Sequence, residues 1–189
     1  MTAFAHQVTH NCHALVRIFN SCFEESESTC LTGGASEPLY TPADQGQPAC
    51  IYFSHDYFAS ALHEVAHWCV AGPARRKLED YGYWYAPDGR SASQQAEFER
   101  VEARPQALEW VFSAAAGYRF RVSADNLNLG LGPSDDFKDA IFSQLQGLRE
   151  HGLAPRAARF TQGLLSFYRP GLDVAQLLGG GDTFKRDAL

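Results

Sequence analysis

The sequence predicts an α+β fold, a single domain that is mostly helical around a small sheet, with a metal site on a central buried helix. Three observations predict this class. Several long segments repeat apolar side chains with the period of a helix, whereas ACIYF at 49–53 is a short β-prone run. The chain has 189 residues, 45% of them hydrophobic, which is enough for one compact core.

The first half of the chain alternates helical, loop and strand signals. Apolar periodicity marks the helices, and a stretch rich in Gly, Pro, Ser and acidic residues marks the long loop. A glycine and a proline end the second helix. These signals predict, in order, a helix at 3–23, a loop at 24–48 with a short extended piece at Leu39–Thr41, a central strand at 49–53 and a helix at about 56–71.

The second half is predicted to be mainly helical. Proline clashes with the carbonyl four residues before it, so Pro105 predicts a bend or a break near 101–104. The predicted elements are an aromatic strand at 81–85, helices at 93–103 and 105–116 or one helix bent at Pro105 and ending at Gly117, a candidate strand at 119–123, and helices at about 134–150 and 155–168. The tail at 177–189 is expected to be loose.

Composition narrows the functional classes. The net charge is −6 and the pI near 5.6, which argues against general binding to nucleic acid or to anionic membranes. Five cysteines without a CxxC pair argue against a disulfide framework or a cysteine zinc site. The N-terminus lacks a signal peptide pattern, and the chain lacks an apolar run long enough for a membrane span. We therefore expect a soluble, cytoplasmic protein.

The stretch ALHEVAHWCV at 61–70 contains the HExxH pattern. His63 and His67 lie one helical turn apart and leave the same side of a helix that is otherwise apolar, so both imidazoles can bind one ion. Two core histidines bonded to backbone carbonyls are the alternative. A buried His-Glu-His set needs partners, because an unpaired buried carboxylate is costly, and a metal provides them. The motif therefore indicates a metal but not a reaction.

A third ligand is expected from a neighbouring element, because two histidines and one carboxylate with open positions form a common catalytic metal site. The segment QQAEFERVEARPQALEW at 94–110 offers four side chains at three- and four-residue spacing. They share one helical face and are Glu99, Glu102, Gln106 and Glu109. A solvated acidic stripe is the alternative interpretation.

These residues resemble a known family. The run SHDYFASALHEVAHWCVAGPARRKLEDYGYWYAPDGR, followed by FERVEARPQALEWVFSAAAGY, closely resembles the bacterial elongation factor P hydroxylases. The resemblance is dense over 54–118 and looser at 37–44 and 125–129. Three motifs carry it, namely HEVAHW, ARRKLEDYGYWYAPDGR and VEARPQALEW, and their combination is more specific than HExxH alone. The catalytic motifs as a whole span 37–129 of a single domain covering 1–189.

The resemblance implies a cytoplasmic enzyme that hydroxylates the modified lysine of elongation factor P, usually after β-lysylation. It also implies a two-histidine, one-carboxylate metal centre on a fold unlike the usual oxygenase barrels. By position the histidines are His63 and His67. We choose Glu102 as the carboxylate, because Gln106, one turn further on, is placed to hold it in orientation. The bend expected at Pro105, between the two, would also let Glu102 approach an ion at an angle that a straight helix does not offer. The expected cofactor is Fe(II), with O2 as co-substrate.

The substrate would be a cationic lysine arm, so carboxylates and aromatic rings should line its approach. Glu99 is a candidate for binding this arm, and EDYGYWYAPD supplies the others, which are Asp80, Tyr83, Trp84 and Asp88. For the aromatic residues, packing of a strand on the core is an equal alternative. Arg75, Arg76 and Lys77 form a small basic patch that suits an acidic protein partner, although such patches are often ordinary surface beyond a helix C-terminus.

Two other functions use the same residues. In a zinc peptidase Glu64 would be the general base that activates a zinc-bound water. In a non-catalytic module the metal would only stabilise the fold, but structural zinc sites usually have four protein ligands. The sequence offers three good candidates, which favours an open catalytic site in which Glu64 orients a ligand, binds substrate or transfers a proton.

Overall fold

The computed structural model describes residues 9–80, 90–124 and 132–189. Its first half contains helix α1 (Cys12–Glu27), strands β1 (Thr29–Ala35), β2 (Leu39–Thr41) and β3 (Ala49–Ser54), and helix α2 (Phe58–Val70). The second half contains α3 (Ala92–Ala116), α4 (Asp135–His151), α5 (Pro155–Tyr168) and α6 (Val174–Gly179). The α+β class with a small sheet is confirmed.

The described strands form one sheet with the order β1-β3-β2. Strand β3 is central, as the sequence predicts, and pairs in parallel with β1 and antiparallel with β2. The parallel register places Cys30 opposite Cys50 and Leu31 opposite Ile51. Leu31, Ile51 and Phe53 are almost fully buried, so this sheet forms one wall of the core.

Strand β1 lies where the sequence predicts a loop, and that part of the prediction is wrong. The glycines of this segment predict a loop, but Gly33 is packed against the ring of Phe53. A Cβ at this position would lie 2.6 Å from Cζ of that ring. The backbone N–H of Leu31 donates to the side chain of Asn20 on α1, with 2.9 Å between the two atoms. Helix α1 therefore covers a strand whose glycine gives room to a buried ring.

Helix α1 begins at Cys12, after three described residues that are not helical, and the predicted helix at 3–8 lies outside the described residues. The Asn11 backbone is extended, and its side chain accepts a hydrogen bond from the N–H of Ala14, which caps the helix before Cys12. At the other end the helix continues to Glu27 and stops at Ser28, which has a positive φ of 46°. Capping groups, rather than apolar periodicity alone, set both ends.

Helix α3 runs unbroken through Pro105 and ends at Gly117, where φ is 66°. Of the two predicted alternatives, the single helix is therefore correct. Proline removes one hydrogen bond from the interior of a helix, but Pro105 is itself buried and the neighbouring Ala107 is fully buried. Packing on both sides of the proline holds the helix together.

The candidate strand at 119–123 is not a strand. The amide of Gln106 takes the place of a partner strand, because it donates to the carbonyl of Ser123 at 2.8 Å and accepts from its N–H at 3.1 Å. A side chain on α3 thus satisfies the extended backbone that would otherwise need a sheet edge. The predicted strand at 81–85 lies outside the described residues.

The C-terminal segment is packed on the core, contrary to the expected loose tail. Leu177, Leu178 and Phe184 are buried. The Phe184 ring meets the Trp110 ring edge-on at 5.5 Å, and Arg149 donates to the carbonyl of Leu178 at 2.7 Å. Burial of apolar side chains at widely spaced positions therefore holds this segment on the core, although its glycines predict a loose chain.

The core positions α2 at the centre of the molecule. This helix contacts β3 on one side and α3 on another, and it also contacts α1 and α5. Ala61, Leu62, Val65 and Ala66 have no exposed surface. Within the described ranges, no helix combines the length and the apolar character of a membrane span.

Candidate metal centre

Helix α2 presents both histidines of the HExxH pattern toward α3. The His63 and His67 side chains keep 23% and 22% of their exposure, whereas the rest of the helix is largely buried. Their Nε2 atoms lie 3.0 Å apart. Two imidazole lone pairs can face each other at this distance only with a proton or a cation between them. The pair is therefore arranged for a shared positive charge.

Helix α3 supplies the carboxylate. Glu102 is 3% exposed, and its Oε1 lies 3.1 Å from Nε2 of His67, while Oε2 lies 3.6 Å from Nε2 of His63. One ligand atom from each of the three residues lies within 4.8 Å of the others. Nitrogen and oxygen donors from two adjacent helices thus converge on one point, in the pattern of a two-histidine, one-carboxylate site.

Glu109 orients His63 from the other side of its ring. The Nδ1–H of His63 donates to Oε2 of Glu109 at 2.8 Å, and Glu109 is only 6% exposed. This bond commits the proton to Nδ1 and turns the Nε2 lone pair toward Glu102 and His67. The sequence predicts Glu109 only as a member of the acidic stripe at 94–110, without this role. Its spacing of two helical turns from Glu102 was the available signal.

The amide nitrogen of Gln106 lies farther from the Glu102 carboxylate than from its backbone partner, the carbonyl of Ser123. Its Nε2 lies 3.5 Å from Oε2 of Glu102, whereas it donates to the Ser123 carbonyl at 2.8 Å. The bond to Ser123 fixes the amide, which then presents an N–H to the carboxylate. The geometry agrees with the supporting position predicted for Gln106.

The electrostatics of the cluster favour a bound cation. Burial alone lowers the pKa of His63, but its hydrogen bond with Glu109 and the charges of Glu109, Glu102 and Glu64 raise that pKa well above its usual value. Burial opposes ionisation of Glu102 as well, yet the adjacent His67 and His63 lower its pKa to about 2. The carboxylates thus hold positive charge among the imidazoles, and a metal ion would supply that charge without the proton.

The donor set fits a divalent transition metal. Imidazole nitrogen and carboxylate oxygen suit Fe(II), Zn(II) and related ions, and three protein ligands leave coordination positions open. A metal ion would make use of three features of this cluster. They are the buried carboxylate of Glu102, the facing Nε2 atoms of the two histidines and the hydrogen bond from His63 to Glu109.

Glu64 lies beside the three candidate ligands but does not belong to them. It lines, together with His67, a pocket of about 580 Å³. Burial and the charges of Glu102 and Glu109 raise the pKa of Glu64, and the adjacent His63 and His67 oppose that rise. The side chain is partly exposed, so it can meet a molecule that enters the pocket.

The predicted arm-binding residues lie in different places. Asp80 lines the same pocket and pairs with Arg75 at 2.8 Å. Glu99 does not line it. Instead it accepts hydrogen bonds from Gln95 and from Ser134, the N-terminal cap of α4, at 3.1 Å each. Tyr83, Trp84 and Asp88 lie outside the described residues.

The chain is similar to known proteins over most of its length. The family described as elongation factor P hydroxylase matches residues 18–177. The elongation factor P lysine hydroxylase of Haemophilus influenzae is 49% identical over 166 residues, which are 87% of this chain and 93% of that protein. The match includes both helices that carry the candidate ligands.

Proposed function

Because the chain belongs to the elongation factor P hydroxylase family, we propose that it hydroxylates the modified lysine of elongation factor P. The reaction would take place at a metal ion held by His63, His67 and Glu102. The observation that carries this proposal is the convergence of these three side chains within 4.8 Å inside the region that the family matches. The β-lysylated form of the lysine is the substrate we expect, and the cytoplasm is the expected compartment.

The cofactor of this proposal is Fe(II), with O2 as co-substrate. Hydroxylating an unactivated carbon converts R–H, O2, two electrons and two protons into R–OH and water. His63, His67 and Glu102 would hold a redox-active ion, which would supply the activation of O2 that no amino acid side chain can provide. Fe(II) suits this reaction better than a redox-inactive ion such as Zn(II), because the reaction transfers electrons.

The surrounding side chains have separate tasks in this scheme. Glu109 holds the ring of His63 in the tautomer that can bind a metal. Glu64 faces the pocket beside His67, where it can pair with an ammonium of the lysine arm or take up a proton.

A zinc peptidase would use the same histidines with Glu64 as general base. The family match favours hydroxylation, since it extends over most of the chain and not only over the five-residue pattern. We therefore expect no peptide cleavage, with iron or with zinc. Cleavage of a peptide by the zinc-loaded protein that disappears in Glu64→Gln would reverse this ranking.

The deciding experiment is the intact mass of elongation factor P after reaction with the Fe(II)-loaded protein, O2 and a reductant. Hydroxylation adds one oxygen atom, about 16 Da, to the peptide that contains the modified lysine. The same reaction with His67→Ala should leave the mass unchanged. An unmodified mass with the loaded wild-type protein, on both lysylated and unlysylated substrate, would refute the proposal.

A further inference from the structure

The two candidate metal-binding histidines are held in different ways. His63 lies in the middle of α2, and its ring is oriented by the hydrogen bond to Glu109. His67 lies in the last turn of α2, and its Nε2 faces His63 and Glu102. Within the part of the chain that the structure describes, no side chain fixes Nδ1 of His67 as Glu109 fixes that of His63. The direction of the His67 ring therefore depends on the backbone of this last turn.

The last turn of α2 needs hydrogen-bond donors from outside the helix, because the last four carbonyls of a helix have no partner within it. The carbonyl of His67 accepts from the N–H of Ala71 at 2.9 Å. Ala71 is the C-terminal cap, and its backbone is already extended, with a φ of −60° and a ψ of 126°. Pro73 follows two residues later and has no N–H to donate to the carbonyl of Cys69. A contact that holds Ala71 in place therefore also holds the backbone of His67.

Arg156, near the start of α5, supplies donors to this end of α2. Its Nη2 donates to the carbonyl of Ala71 at 2.7 Å and to that of Cys69 at 3.3 Å. The second bond takes the place of the one that Pro73 lacks. Ala71 also joins Arg156 to His67, because its carbonyl accepts from the guanidinium while its N–H donates to the His67 carbonyl. A cation at the C-terminus of a helix is favoured by the helix dipole as well.

The guanidinium of Arg156 also stacks on Trp68, the residue that follows His67. Its central carbon lies 4.5 Å from the centroid of the indole ring, within the range of a cation–π interaction. Trp68 is 4% exposed, and its ring meets those of Phe19 and Phe23 on α1 edge-on at 5.3 and 4.9 Å. Contacts from α1 and from α5 therefore fix the ring next to His67.

Arginine is a costly choice at this position. Burial and the nearby Arg76 lower the pKa of Arg156. One terminal nitrogen of the guanidinium, Nη1, is buried without a hydrogen-bond partner among the described residues. An apolar side chain would pack on Trp68 without these costs, but it could not donate to the two carbonyls. The bonds to the end of α2 are therefore what arginine provides here and an apolar residue would not.

We propose that Arg156 is a positioning residue for the candidate metal centre. Through Ala71 it fixes the last turn of α2, so that Nε2 of His67 is held in the direction of His63 and Glu102. This inference rests on the proposed function, because it requires the metal of that proposal. It assigns to α5 a part in a site whose three candidate ligands come from α2 and α3.

Titration of the full-length, metal-free protein with Co(II) tests this inference, because the visible absorption of Co(II) reports both its affinity and the arrangement of its ligands. We compare wild type with Arg156→Met, which keeps an unbranched side chain that can pack on Trp68 but removes both hydrogen bonds. The matched control is Arg159→Met, one turn further along α5. Arg159 makes the same kinds of contact away from α2, since it donates to Ser26 at 2.8 Å and lies 5.6 Å from the ring centroid of Phe23.

Arg156→Met should bind Co(II) about ten-fold more weakly, at the lower end of the usual loss when a group that orients a ligand is removed. Its absorption bands at saturating Co(II) should also shift, because Nε2 of His67 is no longer held in one direction. Arg159→Met should match the wild type in both respects. A purely structural role would lower the melting temperature of Arg156→Met and leave its Co(II) affinity and spectrum unchanged. That result, or an equal change in both variants, would overturn the inference.

Arg156→Lys is a second variant, which keeps the charge but loses the planar fork that reaches two carbonyls and stacks on an indole. Its affinity for Co(II) should lie between those of the wild type and Arg156→Met. If Arg156→Met does not fold, an Arg156→Lys protein with the Co(II) affinity and spectrum of the wild type would overturn the inference.

The wild-type titration keeps this inference separate from the proposed function. If the wild type binds no Co(II), the metal centre of the proposed function is refuted, and Arg156 has no metal ligand to position. If the wild type binds Co(II) and the Arg156 variants match it, the positioning role alone is refuted.

Discussion

At the scale of single residues, Glu102 and Glu99 of α3 have different partners and are therefore expected to have different roles. In the fold Glu102 is buried against the two histidines, whereas Glu99 joins α3 to the start of α4 through Ser134. The difference depends on which neighbouring helix each side chain meets, and this is tertiary information.

Glu102→Gln should lose the bound metal, while Glu99→Gln should retain it. The first substitution removes the negative charge and one ligand oxygen from the cluster, and the second changes only hydrogen bonds that lie away from the histidines. Elemental analysis of the purified variants, with circular dichroism to check the fold, measures both effects. A loaded Glu102→Gln protein beside an empty Glu99→Gln protein would exchange the two roles.

Glu109 gives a second prediction at this scale. Glu109→Gln keeps the size of the side chain but removes the charge that fixes the proton on Nδ1 of His63. Metal affinity should fall by about 10- to 100-fold, the usual effect of losing such a partner, and titration with Co(II) followed by its visible absorption measures it.

The control for Glu109 is Glu97→Gln on the same helix. Glu97 is exposed and pairs only with Arg100 among the contacts of the described residues, so its replacement should leave the Co(II) titration unchanged. If Glu109→Gln binds Co(II) as tightly as the wild type, the contact between Glu109 and His63 does not contribute to metal affinity.

At the scale of elements, the sequence predicted the helices better than the sheet. The HExxH helix, the central strand β3 and the helices at 135–151 and 155–168 follow from periodicity and capping residues. Strand β1 was missed because Gly33 resembles a loop signal and its packing against Phe53 is visible only in three dimensions. Segment 119–123 was misread because its hydrogen-bond partner is a side chain, Gln106.

Gly33→Ala tests the packing explanation for β1. The new methyl group would lie 2.6 Å from Cζ of Phe53, so the buried ring or the strand must move. We expect the free energy of unfolding to fall by about 1–3 kcal/mol, as for other overpacked cores. Urea denaturation measures it.

Gly147→Ala in α4 is the matched control for Gly33→Ala. A Cβ at this helical position meets nothing within 4 Å, and alanine favours a helix over glycine by roughly 1 kcal/mol. This variant should therefore be at least as stable as the wild type. A Gly33→Ala protein of unchanged stability would show that β1 accommodates the methyl group and that another cause hid the strand from the sequence.

At the scale of the whole molecule, the candidate centre joins α2 to α3 through the middle of the core. A metal that binds only the folded chain stabilises it by about 2.7 kcal/mol when its free concentration is a hundred times the dissociation constant. For a chain of this size that corresponds to a rise in melting temperature of about 5–11 °C. With such a metal bound, the melting temperature of the protein would depend on the metal supply, while the buried core would remain without it.

Removal of the metal with a chelator should lower the melting temperature, and readdition of Fe(II) without oxygen should restore it. His63→Ala should melt at one temperature under both conditions, since it lacks a ligand. Differential scanning calorimetry under anaerobic conditions makes the comparison. If the melting temperature of the wild-type protein changes neither on chelation nor on readdition of Fe(II), the result would contradict a metal held between the two helices.

The division of the ligands between α2 and α3 has a topological consequence. An ion held by His67 and Glu102 would link α2 to α3 and, for as long as it stays bound, would close the intervening chain into a loop, as a covalent crosslink does. The cysteines are all free thiols, so no disulfide serves this purpose. The ion would take the place of a disulfide, with the difference that it can be withdrawn and returned without a change of oxidation state in the chain.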